Sequence, residues 1–472
     1  MDFNNTSMMD TDQIRASGNK KTNLLNPGSV ESDFYYSSIN SRVNPIEAVK
    51  QCGAYKVSLS APVYGGMSTV QVNNQNLVGK VYLTIGLKRP AGAGIANISL
   101  PKGWCYRLIR SVDVLIGNSN ISTQTFNQAQ SWHVMNGQCS SASELDYYLQ
   151  AGGSQLLGSA YTGVAIPDYL FVDGYTYGTI LIDVPWSSWC TSLESKLYFD
   201  TSLLNQPITL NIRFNDYQEL FGSTYVPPVD ERTFQSTMYY SELIFSNKEQ
   251  GLRDTLRRTP DMLISYPSIY KTPGSGDIII NPTVANNGAF SVNLQGFLDS
   301  DLLGLSLSFQ LQEELVNTAG PNNFFNCLDV LDLKLQFSGH TIIDYPIDSY
   351  KLIQQESSMM PVFATNVVSR IVGGLAKYGA RQSYVIQISL TRLSALCGEA
   401  GYMSQPFQNS QKIPNQILTL TGRIPQFYHF VDQNSVLQSI NCWDKVVVLK
   451  QSQLYPSILV IDNRGNVNIW YS

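Results

Sequence analysis

Charged side chains are scarce in this sequence. Of 472 residues, only 14% are Asp, Glu, Lys or Arg, against roughly 25% in an average soluble domain. The formal net charge of −5 is too mild to draw the chain onto DNA or an anionic membrane surface. No apolar run approaches the ~18–20 residues that a bilayer-crossing helix needs. The opening "MDFNNTSMMDTDQIRASG" lacks the basic start and apolar centre of a secretory signal. Seven cysteines (52, 105, 139, 190, 327, 397 and 442) are scattered singly, with no C-x-x-C spacing and an odd count. They read as small apolar core residues in a reducing compartment rather than as a disulfide frame. In that setting the N-x-S/T triplets at Asn5, Asn97 and Asn120 are chance matches.

Recognisable chemistry is missing too. There are three histidines, His133, His340 and His429, and none has Cys, Asp or Glu at metal-ligand spacing. His340 sits in the turn "SGHT", as a polar turn residue, and His133 lies beside Trp132 in a candidate helix. The chain has no H-x-H pair, no G-x-S-x-G elbow and no GxxxxGK[ST] loop. Asp183 in "ILIDVPW" and Asp332 in "VLDLKL" fall in strand patterns. A glycosidase needs only two carboxyls some 5–10 Å apart, but solvent-facing strand acids are the plainer reading. Trp186 and Trp189 in "PWSSWC" suit a sugar-stacking platform or, more simply, a packed loop or subunit contact. The expectation is a protein that is not an enzyme, with no catalytic, cofactor-binding or metal-binding residue and no cofactor.

What is present is alternation. "VYLTIGL" (81–87) places Val81, Leu83, Ile85 and Leu87 on one face, and "ITLNIRF" (208–214) does the same with Ile208, Leu210, Ile212 and Phe214. This is the period of a half-buried strand. "TILIDVPW" (179–186) is a further strand, preceded by the turn-forming Asp173-Gly174. Helices are predicted to be few and short. "SASELDYYLQAGG" has Ser141 and Glu144 at capping-box spacing and stops on Gly152-Gly153, and "TFNQAQSWHVMNG" is another candidate. The chain closes on a hairpin, with "SILVI" (457–461), turn "DNRG" (462–465) and "NVNIWY" (466–471), in which Gly465 suits a positive φ.

Several of these strands occur twice. "VDVLIGNSNI" (112–121) and "LKLQFSGHTI" (333–342) share apolar alternation, a small polar turn and a closing isoleucine at an offset of 221 residues. "VYLTIGL" matches "LGLSLSF" (303–309) at an offset of 222, and "ITLNIRF" matches "LTLTGRI" (418–424) at 210, with Arg213 opposite Arg423. Three matches in one order indicate a tandem duplication. Many short strands separated by Gly, Pro and Asn turns point to antiparallel sandwiches, so the fold class expected is all-β: two tandem antiparallel jelly-roll β-sandwiches with a few short helices. The divisions are 1–45 as a polar N-terminal arm, 46–245 as jelly roll 1, 246–261 as a linker helix and 262–472 as jelly roll 2. The linker "SNKEQGLRDTLRRTP" has a Ser246/Glu249 capping box, a Pro260 stop and the densest basic cluster of the chain, Lys248, Arg253, Arg257 and Arg258. A solvated helix face or a contact with an acidic neighbour would each use those cations. In the arm, Arg15, Lys20, Lys21 and Arg42 face five acids, Asp2, Asp10, Asp12, Glu31 and Asp33. That balance does not suit direct nucleic-acid binding.

On the duplicated "VDVLIGNSNI"/"LKLQFSGHTI", the polar arm and the lack of an active site, the chain resembles the double jelly-roll major capsid proteins of tailless icosahedral double-stranded DNA viruses. That lineage spans tectivirus-like phages, virophages and the large nucleocytoplasmic viruses. The resemblance covers about residues 50–472 and carries no signature motif. It implies a structural virion protein, made in the host cytoplasm, that trimerises into pseudo-hexameric capsomers tiling an icosahedral shell. Its implied partners are two further copies in a homotrimer, neighbouring capsomers, minor capsid or vertex proteins, and an internal membrane where one underlies the shell. It also implies radial strands, an outer loop at 136–178 and an inner clamp at 1–45. The competing expectation is a tandem β-sandwich that binds carbohydrate or a receptor.

Overall fold

The computed structural model describes residues 49–60, 62–72, 77–88, 104–127, 131, 175–184, 199–201, 204–221, 227, 229, 232–245, 262–269, 277–294, 304–312, 328, 330–337, 340–345, 386–389, 418–431, 437–443, 445–462 and 464–471. Among them the first half contains β1 (Val49–Ser58), β2 (Met67–Val72), β3 (Leu77–Lys88), α1 (Trp104–Leu108), β4 (Ile109–Ile116), β5 (Ser119–Thr125), β6 (Tyr175–Ile182), β7 (Phe199–Asp200), β8 (Ile208–Phe214), α2 (Tyr217–Phe221) and β9 (Gln235–Phe245). The second contains β10 (Met262–Ile269), β11 (Ile278–Ile280), β12 (Ala289–Asn293), β13 (Gly304–Leu311), β14 (Asp332–Phe337), β15 (His340–Tyr345), β16 (Ile386–Ser389), β17 (Leu418–Arg423), β18 (Phe427–Val431), β19 (Leu437–Asn441), β20 (Val447–Ile461) and β21 (Val467–Tyr471).

The alternation read from the sequence becomes burial. In β3 the side chains of Val81, Leu83 and Ile85 are fully buried and Leu87 nearly so, while β8 buries Ile208, Leu210, Ile212 and Phe214. In β13 the same face is carried by Leu305, Leu307 and Phe309. Each such strand hides one row of side chains between two sheets, and each well-buried Leu or Ile contributes about 1.5–3 kcal/mol of transfer free energy.

Strand order is the same in both halves. The first has one sheet ordered β1-β9-β3-β6, with β7 also on β3, and a second ordered β2-β8-β4-β5. The later half has β10-β20-β13-β16, with β11 and β21 also on β20, facing β12-β17-β14-β15. All recorded pairs are antiparallel. Two four-stranded layers in which neighbours are rarely consecutive in sequence form a jelly roll, and the chain has two in tandem. The third sheet of the later half is the β18–β19 hairpin. The proposed junction falls between the end of β9 at Phe245 and the start of β10 at Met262, and its residues lie outside the described ones.

The two matching stretches that define the repeat are equivalent hairpins, β4–β5 and β14–β15. Ile116 pairs with Ser119 across a two-residue turn in one, and Phe337 with His340 in the other. Each contains a register shift, between Val114 and Leu115 in the first and between Leu335 and Gln336 in the second. Those positions differ by the same 221 residues as the sequence match. A bulge bends and twists the strand that carries it, so an irregularity kept at one site in both halves is part of the shared architecture. The equivalence extends to β2 and β12. Met67 lies opposite Arg213 in β8, and Ala289 lies opposite Arg423 in β17. Just before these pairs, Phe214 N donates to Gly66 O at 2.9 Å, and Ile424 N donates to Gly288 O at 2.9 Å.

Helical expectations are tested only in part. Ser131 N donates to the Asn127 carbonyl at 2.9 Å, one helical-type bond inside "TFNQAQSWHVMNG". The candidate helix at 141–153 lies outside the described residues. The closing hairpin forms as expected, with Ser457 to Ile461 paired to Tyr471 to Val467 and Gly465 at φ 81°.

Candidate assembly site

The residues singled out for chemistry do not converge among the described ones. Asp332 begins β14 and its Oδ2 accepts from Arg423 Nε of β17 at 2.6 Å, a cross-strand ion pair on a sheet surface. Asp183 departs from the solvent-facing reading. It follows the end of β6, is only 6% exposed, and its backbone N–H donates to Gln124 Oε1 at 2.9 Å. That bond ties the end of β6 to β5, which explains why the chain turns inward there. His340 is the first residue of β15 and His429 lies within β18. His133, Trp186 and Trp189 lie outside the described residues. No group of three or more His, Cys, Asp or Glu that could hold a metal ion occurs among the described residues. Cys105 is fully buried in α1, and that burial pushes its thiol well above its ordinary value, which leaves it a packing residue rather than a nucleophile.

One end of the first sandwich is closed by short connections. Asn215 N donates to Leu108 O at 2.7 Å, and its Nδ2 donates to Arg107 O at 2.8 Å, so α1 and the start of the α2 segment are joined. Burial pulls the Arg107 guanidinium below its ordinary value, and the carboxylate of Glu219 on α2 opposes that shift. In the turn between β1 and β2, Tyr64 N donates to Arg232 O at 3.3 Å. Tyr64 meets Phe234 at 5.2 Å between ring centroids, and the Arg232 guanidinium lies 5.7 Å from the Tyr217 ring centroid. Val63, Met67 and Val229 of these connections are exposed apolar residues.

At the opposite end the two sandwiches meet. β20 is 15 residues long, about 50 Å at ~3.3 Å per residue. Its first part, Val447 to Leu454, pairs with β13, and its last part, Leu454 to Ile461, pairs with β10. The far end of this strand reaches the other half. Leu459 and Ile461, both essentially fully buried, belong to the same hydrophobic cluster as the first-sandwich residues Val114, Ile116 and Ile121. Val467 of β21 packs against that cluster, and β5 lies against β10 and β21. Polar groups complete the seam. Asn205 N donates to Gly465 O at 3.3 Å, and Asn205 Nδ2 donates to Asn466 Oδ1 at 2.8 Å. The turn that receives Asn205 is held by Asp462, whose Oδ1 accepts from the backbone N–H groups of Arg464 and Asn466, each at 2.8 Å, while Oδ2 accepts from Asn466 Nδ2 at 2.8 Å. Led by the Asn466 side-chain bond, these contacts lower the Asp462 carboxyl below its ordinary value. The seam therefore fixes one sandwich on the other through an apolar plug with an amide rim. Nothing in the sequence marked Leu459 and Ile461 as different from other alternating strand residues.

No protein-family model matches the chain, and none of the curated proteins does. Solved structures do. The structure of VP54 of PBCV-1, fitted into a reconstruction of the virophage Sputnik, aligns with a TM-score of 0.57 at 11% identity, over 89% of this chain and 97% of that one. The quasi-atomic model of the PBCV-1 virus capsid aligns with a TM-score of 0.57 at 10% identity, over the same shares. At such identity it is the fold that is shared. With two jelly rolls of identical strand order and a match along nearly their whole length, the chain has the fold of the double jelly-roll capsid proteins.

Proposed function

We propose that this chain is a structural major capsid protein, three copies of which form a pseudo-hexameric capsomer that tiles an icosahedral shell. The observation that carries the reading is the repeat of strand order, hairpin register and bulge position in two sandwiches held in one fixed relation by the Leu459/Ile461 seam. Three copies of a doubled unit present six near-equivalent faces, so an object of threefold symmetry fills a sixfold place. A single-domain subunit would need six chains at each tile and more association entropy to overcome. The low charge of the sequence reduces repulsion between packed neighbours. Under this reading the connection between β5 and β6, which contains most of 136–178, is the outer loop. Residues 1–45 clamp neighbouring capsomers, a minor capsid or vertex protein, or an underlying membrane. The chain works in the virion after synthesis in the host cytoplasm, without enzymatic activity.

The test is assembly of the full chain and of a form lacking residues 1–40. The full chain gives trimers that go on to form shells or sheets. The truncated form keeps the trimer and loses the higher assembly, whereas loss of the trimer itself contradicts this division of labour. A monomer whose thermal stability rises with a sugar would favour the carbohydrate-binding reading instead.

A further inference from the structure

The first core is completed by residues of the second sandwich, while the second core has no such contribution from the first among the described residues. The repeat supplies an unused copy of each half of that seam. One half is the strand edge that receives the plug. β5 is the free edge of the sheet β2-β8-β4-β5, and β15 is the free edge of β12-β17-β14-β15. β5 is covered by β10 and β21, whereas β15 pairs only with β14 among the described strands, and its Thr341 and Asp344 are exposed. The other half is the plug. β20 ends with Leu459 and Ile461 opposite Ile264 and Met262 of β10, and β9 ends with Leu243 and Phe245 opposite Cys52 and Val49 of β1. The same register position at the end of the same jelly-roll strand thus carries an apolar pair in both halves.

We propose that copies of this chain join head to tail by repeating their internal seam, the β1–β9 end of one copy seating its Leu243 and Phe245 positions against the β15 edge of the next. The occupant is a second copy because the chain already seats one of its sandwiches on the other by this contact, and the second sandwich offers the equivalent edge uncovered. Plug and edge lie on different sandwiches, so the contact is heterologous and closes into a ring when the rotation per copy allows. Seams within chains then alternate with seams between chains around that ring. The inference rests on the reading of the chain as a self-assembling shell protein and adds the surface by which it assembles.

Two full-length variants test it. Phe245→Lys blocks the plug and Thr341→Arg blocks the edge, and each is sized by sedimentation alone and as an equal mixture, with thermal unfolding as the check on folding. The wild type is expected as a closed oligomer and each variant alone as a monomer. The mixture is expected as a one-to-one dimer, because each variant retains the face that the other has lost. If Phe245→Lys does not fold, Val49→Lys on the paired edge strand takes its place. Oligomers of unchanged size from both variants, or a mixture that stays monomeric beside an oligomeric wild type, would overturn the assigned surface and leave the shell reading standing. A monomeric wild type would overturn both.

Discussion

In the first sandwich Arg213 reaches Asp113 along a diagonal of the sheet, at 3.5 Å, because the residue directly opposite it is Ser111. In the second, Arg423 meets Asp332 directly across the ladder at 2.6 Å. The arginines are equivalent and their partners have moved by two residues along the neighbouring strand, which keeps the carboxylate on the same face. Backbone register is copied between the halves and the surface chemistry on it is free to drift, since an exposed ion pair is worth only about 0–1 kcal/mol. A second difference concerns the layers that contain β3 and β13. On the face of β3 that points away from the core, Thr84 is partly exposed, and its hydroxyl lies 3.1 Å from that of Thr179. The equivalent row on β13 holds Ser306 and Ser308, both fully buried. Side chains diverged most where each sandwich has a different neighbour, and the core rows stayed apolar in both.

The largest effects should come from testing whether the two sandwiches are separate cooperative units. Leu83→Ala in the first core and Leu305→Ala in the second should each cost about 2–5 kcal/mol, read by denaturant unfolding with hydrogen exchange to assign the transition. Each should lower the transition of its own sandwich. Leu459→Ala, by contrast, should lower both, since that side chain sits on a second-sandwich strand inside the first core. Equal shifts of a single transition by all three variants would show one cooperative unit and remove the distinction.

Of intermediate size is a comparison of the equivalent turns before β2 and β12. Gly288 has φ 71°, and an added Cβ would lie 2.3 Å from the Ile424 carbonyl oxygen. Gly65 has φ 71° with open space around it, and its equivalent in the second half is Asn287 at φ 53°. Gly288→Ala should therefore destabilise by more than the ~1–2 kcal/mol expected of backbone strain alone. Gly65→Asn should fall within about 1 kcal/mol of wild type, because Asn tolerates the left-handed region. Thermal unfolding of the two variants side by side checks the ranking.

The smallest expected effect is on pH dependence at the seam. The Asp462 carboxyl is lowered in the folded chain by its Asn466 and backbone partners. Its contribution is thus present above the ordinary carboxylate value and is lost as pH falls through the lowered one. Asp462→Asn should flatten the acid limb of the stability curve and leave neutral stability nearly unchanged. An identical acid limb in the variant would show that the turn does not contribute.

Much of this architecture was legible in the sequence because a half-buried strand writes its burial as a period of two. Val81, Leu83, Ile85 and Leu87, and their partners 222 residues later, could be placed on one face before any coordinates. The constant offset also aligned Arg213 with Arg423. Their acids could not be identified, because an ion pair across a sheet depends on strand neighbours that the chain order does not reveal. The seam was hidden for the same reason. Leu459 and Ile461 continue the alternation of β20, and only the reach of a long strand past its own sandwich places them in another core. Asp183 was misjudged because a strand pattern cannot tell a solvent face from a covered one.

The most direct measurement is an image of the purified oligomer together with its mass. A particle of three times the 52.5 kDa chain with a six-cornered outline is the predicted result. A monomer, or a three-copy particle with three lobes and no sixfold character, would contradict the claim that the duplicated sandwiches act as equivalent corners.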